Sequence, residues 1–269
     1  MAHPQIATFA RLADANAKPV RKIEGQKSLL GRTMHAIIYD DLHDEFSVPQ
    51  PLAEAVLTFR GAANGEEAPI RIIQGPKTQL TDPERLGADP VHNELFVPQN
   101  NAVFVFPRTA NGDVAPIRIL KGPDTELGAS AVAVDTTHDL LIVAGGGGRS
   151  GPRFRIFNRN DNGNVKPKAV IGGPKSGFTS LGGPFAVYGP KGWIVATVRA
   201  GGEMASDIAF IGIWSVNDNG DVPPRWRVGG PNGVFQMPRG IALDAKNKTI
   251  IASDKRLNAV LSFYFPEMF

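Results

Sequence analysis

Aspartate and histidine three residues apart recur along the chain, and this spacing could serve metal binding or proton transfer. The pairs are Asp40 with His43, Asp89 with His92 and Asp135 with His138, continued by Asp244 with Asn247. Because each pair falls at the same place in a repeated segment, we interpret it as part of a turn, where Asp and Asn bond to nearby backbone groups. These residues are therefore predicted to shape the scaffold rather than to carry out chemistry.

Two glycine-rich segments carry charged residues of the kind that bind ligands. They are AGGGGRSGPR (residues 144–153) and VRAGGEMASD (residues 198–207), and both are longer than the corresponding links elsewhere in the chain. Binding residues tend to lie in such loops, and the excess of arginine favours a carboxylate, a phosphate or an acidic protein segment. Solvated loops without a ligand are the alternative. The predicted ligand-binding residues are Arg149, Arg153, Arg199, Glu203, Asp207, Asp254, Arg256 and His35.

Several other chemistries find no support in the residues. A phosphate-cradling loop needs a helix N-terminus behind its glycines, and none is predicted after residues 145–148. The Gly-x-Ser-x-Gly elbow of serine hydrolases is absent. A chain without cysteine has no thiolate catalysis, disulfide or Cys-zinc site.

The composition is that of a globular protein with a mildly basic surface. The 269 residues carry a formal net charge of +3 without a Lys/Arg run, so no nucleic-acid partner is expected. No stretch approaches the roughly 18 apolar residues of a membrane span, and the first residues lack the charged start and apolar middle of a signal peptide. We expect no membrane partner. A cytoplasmic location and a mature exported form, periplasmic or secreted, both stay open.

These loops and turns are set in five imperfect copies of one segment of roughly fifty residues. In each copy an apolar run leads to Asn-Gly or a substitute, a proline follows five residues after the first turn residue, and a glycine follows six residues after that proline. Such constant spacing indicates a repeat architecture. The first turn residues are Asp14, Asn64, Asn111, Asn162 and Asn219, and the prolines are Pro19, Pro69, Pro116, Pro167 and Pro224.

Each repeat reads as a four-stranded antiparallel sheet. Asn-Gly after an apolar run is the strongest short-range hairpin signal, so each run should pair with the Pro-containing strand that follows it. The proline cannot donate to a ladder and marks that outer strand as an edge. Two further runs with little polar alternation, such as HAIIYD and EFSVPQ, precede each hairpin and fit strands buried on both faces. The unit therefore has an inner, a second, a third and an outer strand.

Such sheets repeated around a ring form a β-propeller, in which each blade buries its faces against its neighbours. We predict one all-β propeller domain over residues 1–269. The N-terminus carries an orphan third and outer strand, and the C-terminus lacks a full outer strand. The N-terminal strands are therefore expected to complete the last blade and close the ring. Five inner-strand pairs favour five blades, whereas six would need a blade without its two inner strands.

The segment MPRGIALDAKNKTIIASDKRLNAVLSF, residues 237–263, resembles an NHL repeat in its Pro-Arg-Gly-Ile-Ala-Leu-Asp opening, its Ala-Ser-Asp centre and its Asn-Ala-Val close. The recurring ANGDVAPIRILKGP is similar to the segment between repeats of bacterial NHL-like propellers, which are related to the SMP-30 and gluconolactonase-like group. The likeness spans nearly the whole chain as a pattern and is sharp only in the last unit. It implies a propeller but no single chemistry, because these propellers include binding modules, lactonases, a lyase and a synthase.

The enzymatic members of that group imply one alternative function. Calcium-dependent lactonases and phosphotriesterases hold a metal on the central axis with one Glu, two Asn and one Asp, since Ca²⁺ needs several converging oxygen ligands. This chain departs from that set. At the strand ends that would face the axis it has Gln50, Gln99, Asn100, Glu203 and Asp254.

The favoured function is binding of a small anionic molecule or a protein at the face bearing the second-to-third-strand loops. A metal-dependent hydrolase or lyase in the central channel, with Ca²⁺ or another divalent cation, is the first alternative. A structural or oligomerisation scaffold is the second. The residues by themselves imply no cofactor and leave the oligomeric state open.

Overall fold

The computed structural model describes residues 3–146, 151–180, 183–199 and 209–269. Its regular structure is almost entirely β-strand, and the helical segments in these ranges are 3-10 turns of three residues each. They are Gln26–Ser28, Pro51–Ala53, Pro76–Thr78, Pro123–Thr125, Pro174–Ser176 and Gly189–Lys191. None of them has the length and apolar character needed to cross a membrane. The chain divides into two compact units, one made of Met1–Gln99 with Val105–Ile117 and the other of Asn100–Phe104 with Arg118–Phe269.

The N-terminal half of the chain forms a hairpin and two sheets. In the hairpin, β1 (Gln5–Thr8) pairs with β2 (Arg21–Glu24). Sheet 1 consists of β3 (Ile38–Asp40), β4 (Glu45–Gln50), β5 (Ala55–Arg60) and β6 (Arg71–Gln74). Sheet 2 consists of β7 (Gly87–Asp89), β8 (Glu94–Gln99), β9 (Ala102–Pro107) and β10 (Arg118–Lys121).

Residues 129–264 of the second unit form three further sheets, again with their strands in chain order. Sheet 3 consists of β11 (Ala129–Asp135), β12 (Leu140–Gly145), β13 (Arg153–Asn158) and β14 (Ala169–Ile171). Sheet 4 consists of β15 (Ala186–Tyr188), β16 (Trp193–Val198), β17 (Phe210–Ser215) and β18 (Trp226–Gly229). Sheet 5 consists of β19 (Pro238–Asp244), β20 (Thr249–Asp254) and β21 (Ala259–Tyr264).

The prediction of five repeated sheet units is confirmed, and four of the sheets have the expected inner, second, third and outer strands. Sheet 5 has three strands in the described part of the chain, and β1 and β2 pair with each other. The fourth strand that the N-terminus was expected to supply to the last blade is therefore absent from this strand pairing.

The second and third strands form the core, because they carry apolar residues on both faces. All six residues of β12 and of β17 are buried. Between sheets 3 and 4 the packing includes Phe154, Ile194 and Trp214, with Trp214 fully buried. This burial accounts for the runs with little polar alternation that predicted these strands.

The Asn-Gly motifs do not form the tight hairpin turns that the sequence suggested. The third and outer strands do pair, but the connection between them is ten residues long in each four-stranded sheet: 61–70, 108–117, 159–168 and 216–225. The proline precedes the outer strand by two residues, as Pro69 precedes Arg71. The predicted strand pairing is thus confirmed, whereas the predicted turn type is wrong.

The Asn-Gly of each of these four connections instead binds the outer strand of the preceding unit. Asn111 Oδ1 accepts a hydrogen bond of 2.9 Å from the Ile72 N–H, and the Gly112 N–H donates to the Ile72 carbonyl at 2.6 Å. Asp113 Oδ1 accepts the Lys77 N–H at 2.7 Å. We call this arrangement the clasp. The same asparagine contact is made by Asn64 to Lys22, by Asn162 to Ile119 and by Asn219 to Val170.

Candidate functional site

Each sheet has two ends with different roles. We call the end where the second strand passes into the third strand the loop end, and the opposite end the turn end. At the turn end the predicted Asp-His turns are confirmed: the Asp135 carboxylate accepts the His138 N–H at 3.1 Å and contacts His138 Nδ1 at 2.8 Å. The pairs at Asp40, Asp89 and Asp244 are built in the same way. These residues shape turns, as the recurrence in the sequence indicated.

At the loop end, three of the predicted metal ligands hold the segment that leads into their sheet. Gln50 Oε1 accepts the Gly31 N–H at 2.6 Å, and Gln99 Oε1 accepts the Thr81 N–H at 2.9 Å. The Asp254 carboxylate is 2% exposed and accepts four backbone N–H groups. The donors are Gln236, Met237, Arg256 and Leu257, at 2.8 to 3.0 Å. This bonding accounts for the residue types at these strand ends without a metal.

The other two predicted metal ligands are Asn100 and Glu203. Asn100 uses its carbonyl to accept the Ala129 N–H. Glu203 lies outside the described residues. Within the described ranges, no group of three or more His, Asp and Glu side chains has the arrangement of a metal site. The proposed metal site stays a prediction.

The predicted ligand-binding residues are spread over several surroundings. Arg149, Glu203 and Asp207 lie outside the described residues. His35 is half-exposed, with Nδ1 3.3 Å from Glu84 Oε1, and Arg256 is exposed. Arg199 follows β16, where its N–H donates to the Ser180 carbonyl at 3.1 Å. Arg153 begins β13 and is half-buried.

The structure adds Arg155, which the sequence analysis missed. It stands on β13 between Val143 of β12 and Val170 of β14, and it is 6% exposed. Its Nη1 donates to the Gly145 carbonyl at 3.2 Å, while its buried Nε has no hydrogen-bond partner. A buried arginine is ordinarily paired with a carboxylate. Arg155 has no such pair among the described residues.

The other sheets show how unusual this residue is. Counting from the loop end, the position of Arg155 is occupied by Leu57 in sheet 1, Gly212 in sheet 4 and Leu261 in sheet 5. The signal was present in the sequence, because the run RFRIF alternates arginine with apolar residues where the other third strands do not. Arg153 and Arg155, two residues apart on a strand, project from the same face.

Burial and neighbouring charges act on Arg155 together. Burial lowers the pKa of its guanidinium from the usual value, the charge of Glu126 acts in the opposite direction, and Arg153 lowers the pKa further. Arginine stays protonated in spite of such shifts. The loop end of sheet 3 therefore holds a fixed positive charge with little water around it.

Glycines make room beside this guanidinium. The Gly146 N–H donates to the Gly128 carbonyl at 2.7 Å, so two backbone segments cross closely there. A Cβ on Gly145 would lie 1.9 Å from the Gly128 oxygen, and a Cβ on Gly146 would lie 3.2 Å from Arg155 Nη2. Glycine is thus required for the crossing and leaves the end of the Arg155 side chain uncovered by a neighbouring side chain at 146.

The loop ends of sheets 3 and 4 lie together. The Phe154 ring, just after the sheet 3 loop, contacts both Phe178 and Phe185 with centroids 5.1 Å apart, and these two residues lie in the segment that leads into sheet 4. At the sheet 4 loop end the Arg227 guanidinium lies 4.4 Å from the centre of the Phe210 ring, a cation–π contact. The two glycine-rich loops are therefore flanked by arginines.

Comparisons with known proteins bear on the fold. No protein-family model matches the chain, and no curated protein matches it. Hydrazine synthase from Kuenenia stuttgartiensis is similar in structure, with a TM-score of 0.58 at 11% identity over 90% of this chain and 58% of that one. The β-propeller domain of Cps50 (Swd1) from Myceliophteria thermophila gives a TM-score of 0.56 at 8% identity over 88% of this chain and 67% of that one. The chain thus spans 58% of the hydrazine synthase chain that it matches.

At such low identities these likenesses show the fold alone. The chain is an all-β propeller with five blades of antiparallel strands, as predicted. The relation to NHL repeats or to the SMP-30 group is not shown by these comparisons and stays a prediction.

Proposed function

We propose that this protein is a binding propeller that uses the loop ends of sheets 3 and 4 to capture a partner through an anionic group. The partner is a small acidic molecule or an acidic segment of a protein. A rigid sheet scaffold that presents variable loops is a common arrangement for binding.

The observation that carries the proposal is the pair Arg153 and Arg155 on one face of β13. The corresponding pairs are Ala55 with Leu57 in sheet 1 and Ala259 with Leu261 in sheet 5. Two arginines in place of two apolar residues, beside a loop that departs from the repeat, favour recognition of a carboxylate or a phosphate. Arg199 and Arg227 at the neighbouring loop end add to the positive potential.

The test is peptide binding measured by fluorescence anisotropy. The probes are two labelled peptides of equal length, one alternating Glu and Gly and the other alternating Gln and Gly. We expect the wild-type protein to bind the Glu peptide more tightly at low salt. The double variant Arg153→Ala/Arg199→Ala should bind it about tenfold more weakly, since charge-assisted hydrogen bonds contribute roughly 1.5–3 kcal/mol.

The matched control removes two positive charges from the turn end. Lys166 and Lys246 are exposed and lie near the turn ends of sheets 3 and 5. The variant Lys166→Ala/Lys246→Ala has the same net charge as the test variant and should bind like the wild type. Equal losses in both double variants, or equal binding of the two peptides, would contradict the proposal.

A further inference from the structure

We propose that Arg155 is the anchor of a carboxylate-binding site at the loop end of sheet 3. This inference rests on the proposed function and assigns its anionic group to one chemical class and one residue. The ligand is a monoanionic carboxylate, carried by a small molecule or by the end or a side chain of a peptide.

The unused edge of the Arg155 guanidinium has the geometry that a carboxylate needs. Nη1 is taken by the Gly145 carbonyl, which leaves Nε and Nη2 without a hydrogen bond among the described residues. Another arginine of this chain binds a carboxylate through the same Nε–Nη2 edge. Arg60 Nε and Nη2 hold the two oxygens of Glu67 at 2.8 and 2.9 Å. A carboxylate at Arg155 would repeat that bidentate pair.

Burial of the Arg155 guanidinium also favours a bound ligand. A buried donor without a partner is costly, and the apolar residues in sheets 1 and 5 show that the blade fold does not require a charge at this position. A ligand oxygen would satisfy the buried Nε of Arg155. It would do so where little water competes, so that the interaction is stronger than at an exposed arginine.

The neighbouring charge favours a carboxylate over a dianion. Glu126 and Arg153 act on Arg155 with opposite charges, so that the three side chains together carry a single positive charge. A singly charged carboxylate matches the remaining charge and the flat fork of one guanidinium, whereas a phosphate dianion is usually held by several donors or by a helix N-terminus.

The experiment follows the Nε–H resonances of arginine by NMR in ¹⁵N-labelled protein, with sodium acetate as the probe. The Arg155 resonance is identified by its loss in Arg155→Met. We expect acetate to shift this resonance saturably, and sodium chloride or sodium phosphate at equal ionic strength to shift it much less. In Arg155→Lys, which keeps the charge but lacks the fork, thermal stabilisation by acetate should require about tenfold more ligand.

A structural role for Arg155 predicts a different result. If Arg155 only supported the fold, Arg155→Met would lower the melting temperature. If Arg155 instead anchors a ligand, the melting temperature of Arg155→Met without acetate should be unchanged or about 2 °C higher than that of the wild type. The reason is that an apolar side chain of similar length replaces a buried charge. A shift of the Arg155 resonance that chloride reproduces would overturn the proposal, as would acetate stabilisation that persists in both Arg155 variants.

Failure of this inference can be told apart from failure of the proposed function. If the Glu peptide binds through Arg153 and Arg199 while acetate leaves Arg155 unchanged, the loop ends bind anions and the site at Arg155 is wrong. If neither probe depends on any of the three arginines, the proposed function itself is wrong.

Discussion

Asn219 Oδ1 accepts a hydrogen bond of 3.0 Å from the N–H of Val170, a residue on the outer strand of the preceding sheet. The Gly220 N–H donates to the Val170 carbonyl at 2.7 Å, and the Gly172 N–H donates to the Gly220 carbonyl at 3.1 Å. An Asn-Gly dipeptide therefore continues the ladder of its neighbour, and the outer strand, which would otherwise be a bare edge, is covered.

Replacing Asn219 should weaken this clasp measurably. In Asn219→Ala the Val170 N–H loses its acceptor, and we expect the free energy of unfolding to fall by about 1 kcal/mol. Asn219→Asp keeps an acceptor oxygen, so its free energy of unfolding should fall by less. Urea unfolding measures both, with Asn232→Ala as the control because Asn232 is exposed and lies outside the clasps. A loss in Asn232→Ala as large as that in Asn219→Ala would show that the clasp contributes nothing specific.

The clasp should also protect its asparagines from deamidation. That reaction needs the backbone nitrogen of the following glycine to attack the side-chain carbonyl carbon, with loss of ammonia. In the clasp both groups are held, as in Asn111, whose oxygen accepts a hydrogen bond while the Gly112 N–H donates one. Asn232 precedes Gly233, whose N–H donates to the Gly230 carbonyl at 2.8 Å, but the side chain of Asn232 makes no hydrogen bond among the described residues. We expect native protein at mildly alkaline pH to deamidate first at Asn232.

Peptide mapping by mass spectrometry separates this site from the four clasp asparagines. In urea the five Asn-Gly sites should react at similar rates, since the local sequence is then the main determinant. Similar rates in the native protein would mean that the clasp hydrogen bonds do not restrain the asparagines.

Much of the scaffold follows from the sequence, for a physical reason. Apolar runs on both faces of a strand specify buried strands without reference to distant residues, so β12 and β17 were predictable. The role of Asn111 was not, because its partner Ile72 lies 39 residues away and Asn-Gly has a stronger association with local turns. Local propensity identified the right residues and the wrong contact.

Part of the candidate site was likewise predictable from the sequence and part was not. The loop ends were predicted from loop length, and Arg153 and Arg199 do lie there. Asp254 was predicted as a ligand residue because a carboxylate at a strand end suggests binding. Two of its backbone donors, Arg256 and Leu257, belong to the turn directly after it, whereas Gln236 and Met237 are brought to it by the fold. Arg155 was hidden inside a strand run, since burial is a property of the packed sheets.

Gly145 should tolerate no side chain. Its φ is 149°, and a Cβ in ideal geometry at this residue would lie 1.9 Å from the Gly128 oxygen, so alanine would collide with backbone. We expect Gly145→Ala to lower the free energy of unfolding by roughly 2–4 kcal/mol, the combined effect of the collision and of backbone strain. Urea unfolding is the measurement.

Gly151 is the matched control for that substitution. It has a φ of 66° and nothing within 4 Å of its ideal Cβ, so Gly151→Ala should cost only about 1 kcal/mol from the left-handed conformation. If the two variants lose the same stability, the close crossing of Gly128 and Gly145 does not constrain the loop end of sheet 3.

Asp254 should make stability depend on pH. Burial raises its pKa, but the four backbone donors outweigh this and hold the pKa below the ordinary value of 3.8. A carboxyl whose pKa is lowered on folding stabilises the protein above its unfolded pKa and loses that contribution as pH falls through the folded value. Asp254→Asn, with one acceptor oxygen in place of two, should therefore lower the free energy of unfolding by about 2–4 kcal/mol at neutral pH.

The difference between wild type and Asp254→Asn should shrink as the pH falls from the ordinary carboxyl pKa of 3.8 towards the lower folded pKa, because the unfolded wild-type chain then binds a proton that the folded carboxyl does not. Asp221→Asn is the control, since Asp221 Oδ1 accepts the Lys175 N–H in its clasp and Asn164 fills the same role in the preceding sheet. This control should change stability little at neutral pH. Urea unfolding across the acidic range tests both variants. A constant difference for Asp254→Asn from neutral to acidic pH would mean that the amide disrupts packing and that the charge of Asp254 is not what holds the segment entering sheet 5.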